Sequence, residues 1–158
     1  ATLAIVYATP ASLPTSRQAF IAAYQWNNMA YQALYEIDWA SSSKALQLRR
    51  ASGGVACDAI SAALAWAPNT RYLLVFRTNA DGTVSLFRNG VKLTNATNGV
   101  GPAGNQGFNN ATVGLISTPS GGQEYLSGDL GEIVQWSYAM SDAEVAALET
   151  TAAGRYAG

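Results

Sequence analysis

Hydrophobic and polar residues alternate with a period of two along most of the chain, and the densest such stretch lies near its middle. Residues 71–78 have the sequence Arg-Tyr-Leu-Leu-Val-Phe-Arg-Thr, and residues 83–88 and 91–94 keep the same β-branched and aromatic bias. An Asp-Gly pair at 81–82 and an Asn-Gly pair at 89–90 separate the three segments. Both pairs favour the positive φ of tight turns. The three segments are therefore predicted to form an antiparallel meander.

The first strand of this meander is predicted to lie at the centre of a sheet. Tyr72, Leu74 and Phe76 share one of its faces, because side chains alternate along a strand. Leu73 and Val75 share the other face. Since both faces are apolar, we expect another layer of the protein to pack on each side of this strand.

Further strands are predicted on both sides of the meander. They cover residues 2–8, 17–26, 33–39, 44–50, 55–60, 111–116 and 128–136. The Ala-rich stretch 59–67 is compatible with a helix, but we favour a strand followed by a loop because Pro68 interrupts it. Two segments without periodicity, 95–110 and 117–127, are predicted to be loops.

The period changes from two to that of a helix after residue 140. Ser141-Asp-Ala-Glu144 is a capping box, in which Ser accepts from the first-turn amides and Glu reaches back. Val145, Leu148 and Ala152 lie on one side of the resulting helix, and Gly154 is placed to end it. Many short strands followed by one amphipathic helix predict an all-β antiparallel sandwich with the helix laid on its edge.

Composition narrows the class of protein. The 158 residues are enough for one core, and we assign 1–158 to a single domain. Charged residues make up only 12%, the net charge is -1 and no Lys/Arg run occurs, so no nucleic-acid partner is expected. The chain lacks an apolar run of 18 residues, so no membrane insertion is expected. A surface of few charges is common outside cells and on virions, and an extracellular or virion-surface location is predicted.

The sequence has few side chains suited to catalysis or to metal binding. It has no histidine, which removes the usual general base and the commonest zinc ligand. The single Cys57 allows no internal disulfide and lies in an apolar context that favours burial. Asp81 is explained by its turn, and the remaining acids are scattered, whereas Ca²⁺ takes six to eight oxygen ligands. No cofactor is predicted, and a Ca²⁺ site has no positive support.

Three segments resemble the laminin-G-like branch of the concanavalin A-like jelly rolls. Residues 68–78 resemble the family's strand that opens on an aromatic residue, and residues 82–92 resemble its central hairpin, with Asn89 where the family often has Asp. Residues 128–145 resemble its closing strand and Leu-Ser-Asp-x-Glu helix start, here Met140-Ser-Asp-Ala-Glu144. The resemblance implies a jelly-roll sandwich. It implies no single function, because such sandwiches bind sugars or proteins, hydrolyse polysaccharides or decorate larger assemblies.

Glu36-Ile-Asp-Trp-Ala40 resembles the E-x-D-x-E signature of glycoside hydrolases built on this sandwich. The resemblance would make Glu36 the nucleophile and Asp38 its helper, but the acid/base position is Ala40. A retaining mechanism needs two carboxyl groups, so we expect no enzyme activity. The simpler interpretation is a strand whose acids face solvent or an interdomain surface. A degenerate glycoside hydrolase remains a third hypothesis.

Sugar binding needs aromatic faces beside amide and hydroxyl groups, because a pyranose has one apolar face and a rim of hydroxyls. The stretches that offer this mixture contribute the candidate ligand-binding residues Tyr24, Trp26, Asn27, Asn28, Tyr31, Asn109, Asn110 and Tyr125. Burial of the aromatics against the sandwich is the competing interpretation. The predicted function is a non-catalytic surface-binding module for a glycan or a protein partner. The alternative is a structural decoration or appendage domain of a virion, or a subunit of another large assembly.

Overall fold

The computed structural model describes residues 1–25, 30–52, 55–99, 110–117 and 123–155. Within these ranges the chain is built from short strands and a C-terminal helix. The elements are β1 (Thr2–Ala8), β2 (Gln18–Gln25), β3 (Ala30–Ile37), β4 (Leu46–Ser52), β5 (Val55–Ser61), β6 (Arg71–Thr78), β7 (Val84–Arg88), β8 (Val91–Lys92), β9 (Asn95–Asn98), β10 (Asn110–Val113), β11 (Leu115–Ser117), β12 (Gln123–Tyr125), β13 (Asp129–Trp136) and α1 (Asp142–Arg155).

The strands form two antiparallel sheets that stack face to face. One has five strands in the order β13-β1-β6-β7-β8, and the other has six in the order β10-β2-β3-β4-β5-β9. A small pair, β11-β12, lies beside them. The first strand pairs with β13 from the far end of the chain and with β6, so sequence-distant segments close the sandwich. The predicted all-β antiparallel jelly-roll sandwich with a short C-terminal helix is confirmed.

Strand β6 lies at the centre of the five-stranded sheet, between β1 and β7, as predicted. Tyr72, Leu74 and Phe76 face the six-stranded sheet and enter the main core. Leu73 and Val75 face the opposite way, into a second buried cluster. Both predicted faces of this strand are therefore covered.

The main core fills the space between the sheets. The six-stranded sheet contributes side chains from four neighbouring strands, namely Phe20, Ile37, Leu46, Leu48 and Ala59. Three aromatic rings in contact extend this core. The ring centroids of Trp39 and Trp66 lie 5.6 Å apart, and those of Trp66 and Tyr72 lie 4.8 Å apart. Such tilted and edge-on contacts are the favoured geometry for aromatic pairs.

The helix lies on the outer face of the five-stranded sheet, and the prediction that it lies on an edge is wrong. Val145 is fully buried against a cluster that includes Val6, Leu73 and Phe87. The physical reason is that the second apolar face of β6 needs a cover, and burying it gains about 25 cal/mol per Å² of apolar area. The helix also continues to Arg155, so Gly154 does not end it.

Two sets of hydrogen bonds stabilise the start of the helix. In the predicted capping box, the Ser141 amide donates to Glu144 over 2.7 Å and the Glu144 amide donates to the Ser141 hydroxyl over 3.2 Å. Arg77, a buried residue of β6, donates to the Met140 carbonyl over 2.7 Å and to the Asp142 carboxylate over 2.6 Å. The helix is therefore held to the sheet by polar contacts as well as by its apolar side.

Several predicted boundaries are corrected. Strand β3 begins at Ala30 and ends at Ile37, so Trp39 lies beyond it. Two strands lie inside predicted loops: β9 pairs with β5, and β12 pairs with β11. Their polar side chains gave little strand signal, but a sheet edge offers unpaired backbone groups that need partners. The Asn89-Gly90 turn is confirmed, with φ of 51° and 72°.

Candidate functional site

The candidate site lies on the outer face of the six-stranded sheet, which we define as the face turned away from the five-stranded sheet. Leu46 and Leu48 of β4 enter the core, so Gln47 and Arg49 between and beside them point outward. The register places Glu36 of β3 directly opposite Gln47, and opposite residues of antiparallel strands share a face. Polar residues of two central strands therefore meet on this outer face.

Glu36 is the central group of this surface. It is fully buried, and its Oε1 accepts a hydrogen bond from Nη2 of Arg17, whose side chain is 34% exposed. Its other oxygen, Oε2, is buried and has no hydrogen-bond partner among the described residues. Burial raises the pKa of Glu36, whereas the hydrogen bond and charge of Arg17 and the charge of Arg49 act in the opposite direction.

A second polar pair lies beside it. The Gln47 side-chain amide donates to Oδ2 of Asp38 over 3.3 Å, and the Ser41 backbone amide donates to Oδ1 of the same carboxylate over 3.3 Å. A small buried apolar cluster of Ala19, Ala22 and Leu34 lies on the same sheet. Glu36, Gln47 and this cluster are buried, so the groups that remain partly exposed are Arg17, Asp38 and Arg49. Guanidinium and carboxylate groups of this kind can hydrogen-bond hydroxyl groups.

The glycoside hydrolase alignment is not preserved in three dimensions. Strand β3 ends at Ile37, and Ala40 lies exposed in the turn that follows, so it does not continue the row of Glu36 and Asp38. The interpretation that both acids face solvent or another domain is wrong for Glu36, which is buried and held by Arg17. The physical reason is that its ion pair lets the carboxylate leave water.

The sequence-predicted ligand residues divide into three groups. Trp26, Asn27, Asn28 and Asn109 lie outside the described residues. The backbone register places Asn110 opposite Tyr24, and Tyr24 opposite Tyr31. These last three positions, drawn from β10, β2 and β3, therefore form one row across the sheet, which we call the Tyr24 row.

Tyr125 lies elsewhere. It is opposite Leu115 in the β11-β12 pair, and its side chain is 63% exposed. The Gly114 amide, next to Leu115, donates to the Phe20 carbonyl over 2.9 Å. At about 3.3 Å per residue, Phe20 is roughly 13 Å along β2 from Tyr24. The structure therefore brings Tyr24, Tyr31 and Asn110 together but places Tyr125 toward the other end of β2.

The sequence did not point to Arg17, Gln47 or Arg49 as site residues. The alternation of residues 44–50 separates Gln47 and Arg49 from Leu46 and Leu48, and this signal was available. Arg17 gave no local signal, because its contact with Glu36 depends on the pairing of β2 with β3.

The described residues contain no group of three or more Cys, Asp or Glu side chains placed to hold a metal ion. In the part of the chain that the structure describes, no helix has the length and apolar character needed to cross a membrane.

Comparison with solved structures supports the fold. The CBM40 module of the Ruminococcus gnavus IT-sialidase, bound to α2,3-sialyllactose, has a TM-score of 0.68 and 17% identity over 94% of this chain and 81% of its own. Trypanosoma rangeli sialidase has a TM-score of 0.63 and 18% identity over 99% of this chain but only 23% of its own. A leech intramolecular trans-sialidase has a TM-score of 0.68 and 18% identity over 92% of this chain and 22% of its own. At these identities the likeness shows the fold alone.

Comparison by sequence gives the family. No curated protein sequence matches the chain. The family model described as the concanavalin A-like lectin/glucanases superfamily matches residues 4–146, which is most of the chain. The resemblance inferred from the hairpin and the helix start is therefore confirmed, and the chain belongs to the concanavalin A-like lectin/glucanases superfamily.

Proposed function

We propose that residues 1–158 form a single, non-catalytic, extracellular glycan-binding module. The observation that carries this proposal is the polar outer face of the six-stranded sheet, where Arg17 is held by Glu36 and Gln47 is held by Asp38. The Tyr24 row lies on the same sheet. The partly exposed groups of this face, Arg17, Asp38 and Arg49, offer donors and acceptors to sugar hydroxyls.

Pre-orientation of the polar groups supports binding. The Arg17 guanidinium reaches the surface from a fully buried carboxylate, so part of its conformational freedom is already lost before a ligand arrives. The half-buried Asp38 is held in a similar way, because it accepts from the almost fully buried Gln47 amide. Fixed donors cost less entropy on binding than free side chains do, which favours recognition of a small polar ligand.

The similar structures support a glycan as the ligand class. The Ruminococcus gnavus module is described in complex with α2,3-sialyllactose and with α2,6-sialyllactose. For this chain, sialyllactose is therefore one probe within a broad glycan panel. The virion or assembly alternative receives no support from the family or from these structures, and the retaining-glycosidase hypothesis lacks its second carboxyl group at Ala40.

A glycan array followed by titration tests the proposal. Arg49→Gln removes a cation from the outer face, and Arg88→Gln is a matched control because Arg88 lies on the other sheet, 5.2 Å from the Trp66 ring. We expect the wild-type chain to retain at least one glycan class, Arg49→Gln to weaken that binding roughly tenfold, and Arg88→Gln to leave it unchanged. Retention of no glycan, or an equal loss in both variants, would refute the proposal.

A further inference from the structure

A groove separates part of the helix from the sheet beneath it. Its volume is about 240 Å³. Val6, Leu73 and Trp136 line its floor on the outer face of the five-stranded sheet, and Leu148 and Ala152 line its wall on α1. Protein interiors are close-packed and seldom leave voids much larger than a water molecule. A space of this size under an otherwise well-packed helix is therefore large enough to receive another molecule.

The mouth of the groove carries one charge of each sign. Arg155 Nη1 lies 3.3 Å from both carboxylate oxygens of Glu132, and both residues line the groove. The two side chains are 62% and 34% exposed, so the ion pair is well solvated and weak. The mouth is therefore electrically balanced, with an acceptor group and a donor group side by side.

We propose that this groove binds a small uncharged amphiphile that has one aromatic ring or a short branched alkyl group and a hydroxyl head. An apolar cavity of ~150 Å³ is enough to hold benzene, so the apolar part of such a molecule fits on the floor of this larger groove. A hydroxyl group can donate to the Glu132 carboxylate and accept from the Arg155 guanidinium at once. A charged head of either sign would meet one like and one opposite charge at the mouth, so it would gain no net attraction there to offset the loss of its hydration. The charge balance of the mouth thus selects neutral heads.

Backbone amide NMR titrations of the full chain test this site with p-cresol as the probe. Toluene lacks the hydroxyl, while benzoate and benzylammonium carry one charge each. We expect p-cresol to cause saturable shifts in β1, β13 and α1, to bind several-fold more tightly than toluene, and to bind more tightly than both charged probes.

Two variants localise the binding. Ala152→Leu fills the groove from the helix and should weaken p-cresol binding roughly tenfold or more, because a filled site cannot admit the ring. Ala147→Leu makes the same change at an exposed position of the same helix that does not line the groove, and should leave binding unchanged. If Ala152→Leu does not fold, Ala4→Leu fills the groove from β1.

Four results would overturn the proposal. The first is the absence of saturable shifts, and the second is binding that the filled variants retain. The third is a charged probe that binds as tightly as p-cresol. The fourth is binding seen only when the chain is shortened to end at Arg155, which would assign the groove to the chain's own residues 156–158.

Discussion

Gly128 shows how a single residue can be required by its surroundings. Its φ is 102°, and a Cβ there would lie 2.2 Å from the Ala8 carbonyl oxygen and 2.9 Å from the Tyr7 ring. Gly128→Ala should therefore lower the free energy of unfolding by about 3 kcal/mol, because both the backbone conformation and the contact are unfavourable. Urea denaturation measures this change.

Gly154 provides the matched control. It lies within α1, and no atom lies within 4 Å of a Cβ built there. Gly154→Ala should raise the free energy of unfolding by about 0.5–1 kcal/mol, since Ala loses less backbone entropy in a helix. Equal effects of the two substitutions would contradict the geometric explanation.

Glu36 makes a pH-dependent contribution whose sign follows from its burial. Its pKa in the folded protein is raised above the ordinary value of 4.5, mainly by loss of hydration. Between the ordinary value and the raised one, the folded state binds more protons than the unfolded state, so stability falls as the pH rises through this window. Glu36→Gln lacks this pH-dependent contribution to stability.

The test compares urea denaturation of the wild-type chain and Glu36→Gln at pH 4.5 and pH 7. Other titrating groups are common to both proteins, so the difference between them reports Glu36. We expect Glu36→Gln to be less stable relative to the wild type at pH 4.5 than at pH 7. A pH-independent difference would mean that Arg17 fully compensates the burial.

Among the elements, those with strong local chemistry were predictable from sequence. Strand β6 was bounded correctly at Arg71 and Thr78 because both of its faces are apolar, and the start of α1 followed from the capping box. The position of α1 was predicted wrongly, on an edge of the sandwich, although the apolar pair Leu73 and Val75 required a cover. Strand β9 was missed because its polar sequence becomes a strand only when it pairs with β5.

The contribution of the α1 capping box to the free energy of unfolding can be measured directly. Ser141 accepts from the Glu144 amide and its own amide donates to the Glu144 carboxylate. Ser141→Ala should lower the free energy of unfolding by ~1 kcal/mol, because an orphan amide at the helix start loses its acceptor. Thermal unfolding followed by circular dichroism measures it. Thr150→Ala, an exposed change in the same helix, should cost nothing, and a loss of similar size there would argue against the cap.

At the scale of the whole molecule, the candidate site depends on contacts that short sequence patterns do not encode. Tyr24 and Tyr31 lie close in sequence, whereas Asn110 joins them only because β10 pairs with β2. The outward direction of Gln47 follows from simple alternation. The burial of Glu36 does not, because it needs Arg17, which lies just before β2.

The helix also matters to the molecule as a whole. It covers an apolar patch on the five-stranded sheet that includes Val6, Leu73, Val75 and Phe87. A chain ending at Tyr138 would expose this patch, losing about 1.5–3 kcal/mol for each large side chain uncovered, and exposed patches of this kind promote self-association. We expect that chain to associate or aggregate in light scattering, while a chain ending at Arg155 stays monomeric. A monomeric shortened chain with unchanged thermal stability would show that the sandwich does not need its helix.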